Sequence, residues 1–213
     1  MSNPRCSIII PIVRMDGAER CMKACVDNAG IPREQYEFVC AEDVDGDGCP
    51  KMVKYLTENT NSDIVIFLGD DTIPEKDWLF ELLKVMDSFE DGWGLVKIND
   101  HQNTPWAQHF AISKKLIDKL SDKEIFSTQF WHSACDEWLY RQASNLNRFK
   151  YAEKSCIIHD HPSGNLEGKL RYGTVYSRPW QVHDKWVLSQ FISNGGVPFY
   201  DDAFTFNKCL ERI

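Results

Sequence analysis

Residues 62–78, SDIVIFLGDDTIPEKDW, decide how the rest of the chain is read. Ile64 to Leu68 is a nearly unbroken apolar run rich in β-branched residues, the pattern of a strand buried on both faces in the middle of a parallel sheet. It stops at Gly69-Asp70-Asp71. Thr72-Ile73-Pro74-Glu75 then reads as a capping box with an early proline, which predicts a helix from about Glu75 to Asp87. Two adjacent carboxylates therefore stand at the carboxyl end of a central strand, where open α/β sheets bind ligands. Such a pair repels itself unless a proton or cation joins it, and a hard divalent ion bridging to phosphate is the usual solution. The plainer alternative is that one aspartate caps the turn and the other is solvated.

Composition narrows the classes around this centre. The 213 residues suffice for one generous domain with a real core. The net charge of −8, from 24 basic and 32 acidic residues, argues against broad non-specific nucleic-acid binding, which needs a basic footprint, and leaves room only for a local basic patch. Eight cysteines contain no C-x-x-C pair and several lie in apolar runs, so they read as small core residues of a reducing compartment. A strand begins almost at once and no apolar segment nears the ~20 residues that span a bilayer, so the expectation is a soluble, cytoplasmic protein without membrane insertion.

Before the central strand, Cys6 to Ile12 reads as a second buried strand with Pro11 near its end. Ala18, Cys21, Met22, Cys25, Val26 and Ala29 recur at helical spacing up to Gly30, and Tyr36 to Ala41 is a further strand. Strand, helix, strand is the parallel unit of a nucleotide-binding half. The acidic run Glu42 to Gly48 imitates the first half of a calcium-binding EF-hand. Lys54 stands where that loop needs glutamate, and a strand precedes it, so the run is either a solvated turn or a ligand-reading loop. Pro50 to Thr57 predicts a short helix. Beyond Gly92 the pattern loosens: strands at Leu95 to Ile98 and Gln108 to Ile112, a short helix capped by Ser113, and a helix with Asp136 at its front. Tyr151 to Ile158 is strand-like and runs into His159-Asp160-His161-Pro162, and Trp186 to Ile192 predicts a last helix. No repeat or linker divides the chain. We expect one domain over 1–213, with a nucleotide-binding half to about 100, a catalytic and acceptor half to about 165, and a C-terminal arm.

The runs SIIIPIVR, EFVCAEDVDGDG, DIVIFLGDDTIP, CDEWLYRQ and IIHDHP, in this order, resemble a family-2-type glycosyltransferase. The resemblance covers residues 5 to 162. It implies the GT-A fold: an α/β, Rossmann-like, mainly parallel central sheet flanked by helices, with an irregular acceptor-side second half. It implies that Pro11, Val13 and Arg14 lie against the base and ribose of a nucleotide-sugar, and that Glu42 and Asp43 read the same groups, with Glu42 standing where aspartate is usual. Asp71 would bind Mn²⁺ or Mg²⁺, and Asp70 would touch the metal or the donor ribose. Asp136 matches the acid assigned as catalytic base, and His161, or else His159, a histidine that completes the metal site. Gly69 departs from the family's D-x-D element by occupying its first acidic position. The usual Arg-Asn stretch is missing, with Lys51 or Lys54 as stand-ins.

The implied reaction transfers a sugar, by default from UDP-glucose, to an acceptor hydroxyl with a single displacement and inversion. The acceptor is a glycan or another hydroxyl compound, a modified nucleic-acid base included. The metal neutralises the leaving diphosphate, Asp136 deprotonates the acceptor, and binding aligns the two. Alternatives for the named residues are a plain helix N-cap for Asp136 and a metal-free polar pair for His159 and His161. His101, His109, His132 and His183 read as structural or surface residues. The stretch Gly164 to Trp186 interleaves Tyr and Trp with Lys and Arg and suits an acceptor site, or else a packed arm. Two rival functions are a nucleotidyltransferase, disfavoured because IVRMDGAER lacks a Gly-rich phosphate loop, and a silent nucleotide- or ion-binding module on the same fold.

Overall fold

The computed structural model describes residues 3–160 and 178–195. Its strands are β1 (Cys6–Ile12), β2 (Tyr36–Glu42), β3 (Ile64–Phe67), β4 (Thr72–Pro74), β5 (Leu95–Asn99), β6 (Phe110–Ser113) and β7 (Phe149–His159). Its helices are α1 (Met15–Asp27), α2 (Cys49–Glu58), α3 (Trp78–Asp87), α4 (Lys114–Ile117), α5 (Cys135–Asn145) and α6 (Arg178–Ser193). The described strands make one sheet in the order β2-β1-β3-β6-β5-β7-β4. Following the pairings, β1, β2, β3, β5 and β7 run one way, and β6 and β4 run the other. The sheet is thus mainly parallel, as expected, but β3 has a parallel neighbour on one side only. Its other neighbour, β6, is antiparallel.

Alternation along β1 and β3 divides the core into two layers. Ile8, Ile10, Ile66 and Leu68 pack under α1 and α3, where Cys21, Cys25, Trp78 and Leu82 are fully buried. Ile9, Val65 and Phe67 face the opposite layer, built by α2, α4, α5 and α6 through Val53, Leu116, Leu139 and Phe191. A strand apolar on both faces is what this sandwich demands. The described cysteines are all free, and Cys6, Cys21, Cys25 and Cys135 are core residues. No helix among the described residues is long and apolar enough to cross a membrane.

Two boundaries differ from expectation. Thr72-Ile73-Pro74 does not open a helix but forms β4, antiparallel to the end of β7 with Thr72 opposite His159. The Thr72 hydroxyl donates to the carbonyl of Gly69 at 2.8 Å instead of capping, and α3 starts three residues later than Glu75, behind Asp77 in a left-handed conformation. Tertiary pairing has overridden a local signal. Similarly α6 begins at Arg178, well ahead of Trp186. The end of the chain, Phe199 to Phe206 included, lies outside the described residues, as does most of Gly164 to Trp186.

Candidate active site

The carboxyl ends of β1, β2 and β3 open onto a cavity of about 690 Å³, within the usual range of small-molecule sites. The turn after β3 supplies its floor. There the two aspartates are turned to different tasks. Asp70 is buried, and its Oδ2 accepts from the backbone N–H of Val13 at 2.9 Å and of Arg14 at 2.6 Å. Its Oδ1 accepts from Arg14 Nη2 at 3.2 Å, so Asp70 ties the end of β1 to the end of β3. Asp71 faces the other way. Its carboxylate meets His159 Nε2 at 3.5 Å and stands 3.7 Å from Arg14 Nη2. Burial alone would push the Asp71 carboxyl up. The hydrogen bond and charge of His159, with His109 and Arg14 behind it, outweigh this and hold it below the usual carboxylate range.

His159 arrives through an irregularity in β7. Past the Ile98–Ala152 pair the register jumps to Asn99 opposite Cys156, a bulge that bends the strand before it pairs with β4. The Asp160 N–H then donates to the Asp71 carbonyl at 2.8 Å and fixes the crossing. The third member is His109, directly before β6. Since β6 is antiparallel to β3 with Phe110 opposite Phe67, the residue ahead of Phe110 falls beside Gly69 to Asp71. Ligand atoms of Asp71, His109 and His159 lie within 4.8 Å of one another. Asp70 is not in this cluster. A Cβ at Gly69 would stand 2.6 Å from Asp71 Oδ1 and 3.5 Å from His109 Nε2, so a side chain there would displace the Asp71 carboxylate.

Asp136 lines the same cavity. It is the second residue of α5, whose cap position is Ala134 in a left-handed conformation, so the N-cap alternative does not apply. Burial, only partly offset by the backbone N–H of Glu137, pushes the Asp136 carboxyl up to about 6. The loop in front of it is held by Asp184 of α6. That fully buried carboxylate accepts from the N–H groups of Trp131, His132 and Ser133 at 2.9, 2.9 and 2.5 Å, and contacts His183 Nδ1 at 2.9 Å. His183 in turn stacks on Trp131 at 3.7 Å between ring centroids. Gln181, Lys185 and Leu188 of the same helix reach the cavity wall.

No protein-family model matches this sequence, and no curated protein sequence matches it. Solved structures do. PcManGT, a mannosyltransferase from Pyrobaculum calidifontis in complex with GDP-Man and Mn²⁺, superposes with a TM-score of 0.62 at 16% identity, covering 92% of this chain and 66% of that one. The glucosyl-3-phosphoglycerate synthase of Mycobacterium tuberculosis, in complex with Mn²⁺, UDP-Glc and phosphoglyceric acid, gives 0.59 at 14% identity over 92% of this chain and 81% of that one. TarS from S. aureus gives 0.58 at 15% identity over 88% and 43%. The fold is GT-A. The chain spans about two thirds of PcManGT and under half of TarS.

On this GT-A frame the residues singled out in the sequence sort themselves by position. Pro11, Val13, Asp43, Asp70, Asp71, Asp136 and His159 all line the one cavity. Arg14 stands behind the aspartates as their counter-ion. Asp43 also builds its own loop, accepting from the N–H groups of Asp47 at 2.7 Å and Gly48 at 3.0 Å. Glu42 is exposed at the end of β2 and does not line the cavity. Lys51 and Lys54 are paired on the surface with Asp47 and Glu124. His161 lies outside the described residues. Sequence reading missed two groups. His109 owes its place to the antiparallel course of β6, and Asp184 to partners about fifty residues away, neither of which local patterning carries.

Proposed function

We propose that the protein is a metal-dependent, inverting glycosyltransferase that moves a sugar from a nucleoside-diphosphate sugar, UDP-glucose by default, to an acceptor hydroxyl. The observation that carries this reading is the meeting, in one cavity at the carboxyl ends of the strands, of Asp71 with two imidazoles and of the separate, half-buried Asp136. A cluster of oxygen and imidazole donors fits Mn²⁺, and Asp71 with His159 would hold it. When bound, the metal supplies a Lewis acid that neutralises the charge developing on the leaving diphosphate.

The remaining tasks fall to the chain itself. Val13 and the loop from Asp43 offer the donor-side wall beside the paired strand ends, and Asp70 keeps that wall in place. Asp136 accepts the proton of the acceptor hydroxyl. With a pKa of about 6 it is a stronger base than an exposed carboxylate and is still mostly ionised at neutral pH. A single carboxylate in this role gives one displacement and an inverted anomeric centre. Residues of α6 on the cavity wall support an acceptor position on that side. A glycan or other hydroxyl compound suits it; the charge of −8 disfavours a long nucleic acid as acceptor.

The test is turnover. With Mn²⁺ and a nucleoside-diphosphate sugar, the wild type should release nucleoside diphosphate in the presence of acceptor extracts. Asp136→Asn should lose about 10²–10⁴-fold in rate, the usual worth of a general base, and keep its donor affinity. Equal turnover in Asp136→Asn would remove Asp136 from the role. Donor binding with no turnover from any acceptor pool would favour a silent binding module.

A further inference from the structure

We infer that His109 is a third protein ligand of the divalent ion, aligned from behind by Asp100, and that this makes the site prefer Mn²⁺ or a similar first-row ion to Mg²⁺. The inference rests on the metal-dependent reading above and deepens it. His109 divides its two nitrogens. Nε2 points into the space beside Gly69 and Asp71, while Nδ1 lies 3.8 Å from Asp100 Oδ2. Both His109 Nδ1 and Asp100 Oδ2 are buried and make no hydrogen bond. His109 also stacks on Phe67, and buried polar atoms without a close partner are costly. Ligation at Nε2 would place the proton on Nδ1, facing Asp100 Oδ2, the one oxygen of that carboxylate without a hydrogen bond.

His159 repeats the design, with Nε2 toward Asp71 Oδ1 and Nδ1 at 3.1 Å from the side-chain amide of Gln102. Asp100 and Gln102 come from one turn, in which the Gln102 N–H donates to Asp100 Oδ1 at 3.1 Å, so a single loop backs both rings. Lys97, also buried, lies 4.0 Å from Asp100 Oδ1 on the same turn. Two imidazoles and one carboxylate form a face that suits Mn²⁺, Fe²⁺, Co²⁺ or Zn²⁺; Mg²⁺ favours oxygen donors and retains its water.

The experiment is metal binding to the metal-free protein by calorimetry, with Mn²⁺ and Mg²⁺ as the probes, for wild type, His109→Asn, Asp100→Asn and Asp71→Ala. Wild type should bind Mn²⁺ at least about ten-fold more tightly than Mg²⁺. His109→Asn should lose about ten-fold or more for Mn²⁺ and little for Mg²⁺, and Asp100→Asn should lose about 10–100-fold for Mn²⁺. Pulsed electron paramagnetic resonance of the Mn²⁺-loaded wild type should count two bound imidazoles, a reading that needs no variant to fold. One bound imidazole, or His109→Asn binding Mn²⁺ like wild type while Asp71→Ala does not, would overturn the inference and leave the glycosyltransferase reading intact. Wild type that binds no Mn²⁺, alone or with UDP, would defeat both.

Discussion

At the scale of one residue, the role proposed for Asp136 comes at a cost in stability. Its carboxyl is buried where a charge is poorly solvated, and its pKa rises to about 6 from an unfolded value of about 3.9. A carboxyl raised on folding stabilises the fold only while protonated. Its contribution is complete below about pH 4 and is lost as pH rises through 6. Asp136→Asn should therefore melt at a higher temperature than wild type at pH 7.5, with the gain shrinking toward pH 4, as thermal denaturation across pH would show. The proposed catalytic role requires the opposite form. In kcat, an acid limb should fall about ten-fold per pH unit below about 6, and a flat profile down to pH 5 would contradict the assignment. Asp136 could be read from the sequence because it opens a recognisable helix in a recognisable order of motifs. The separate tasks of Asp70 and Asp71 could not be, since only the folded β1 end reveals which carboxylate meets Val13 and Arg14.

At the scale of elements, the segments with their own periodicity were legible and those made by partners were not. β1, β3, α1 and α5 follow the apolar patterns that predicted them. β4 did not follow, because three residues reading as a helix cap gain more from pairing with β7. The antiparallel course of β6 was equally hidden, and with it the placement of His109 beside Asp71. α6 is the clearest case of an element whose role is tertiary. Through Asp184 it satisfies three consecutive N–H groups of the loop that leads into α5, and Phe191 stacks on Trp138 at 4.8 Å. Asp184→Ala would take the shared acceptor from those half-buried donors and from His183. It should cost about 3–5 kcal/mol in a denaturant titration, with Phe191→Ala costing a similar 3–5 kcal/mol through its cavity.

At the scale of the molecule, the sheet is a device for collecting ends. Parallel β1, β2 and β3 deliver their carboxyl termini to one edge of the cavity, the reversed β6 delivers its amino terminus there, and the bent β7 returns its last residue to the same place. Two layers of helices hold these ends still by burying both faces of β1 and β3. The mainly parallel GT-A architecture was legible from five motifs in order, since each marks the end of an element that the fold gathers. The central claim is that this gathering makes a metal and nucleotide-sugar site. Calorimetric titration of UDP, GDP and UDP-glucose into metal-free protein, with and without Mn²⁺, tests it most directly. The account predicts micromolar binding of one nucleotide that requires Mn²⁺ and weakens sharply in Asp71→Ala. Absence of nucleotide binding under both conditions would contradict it.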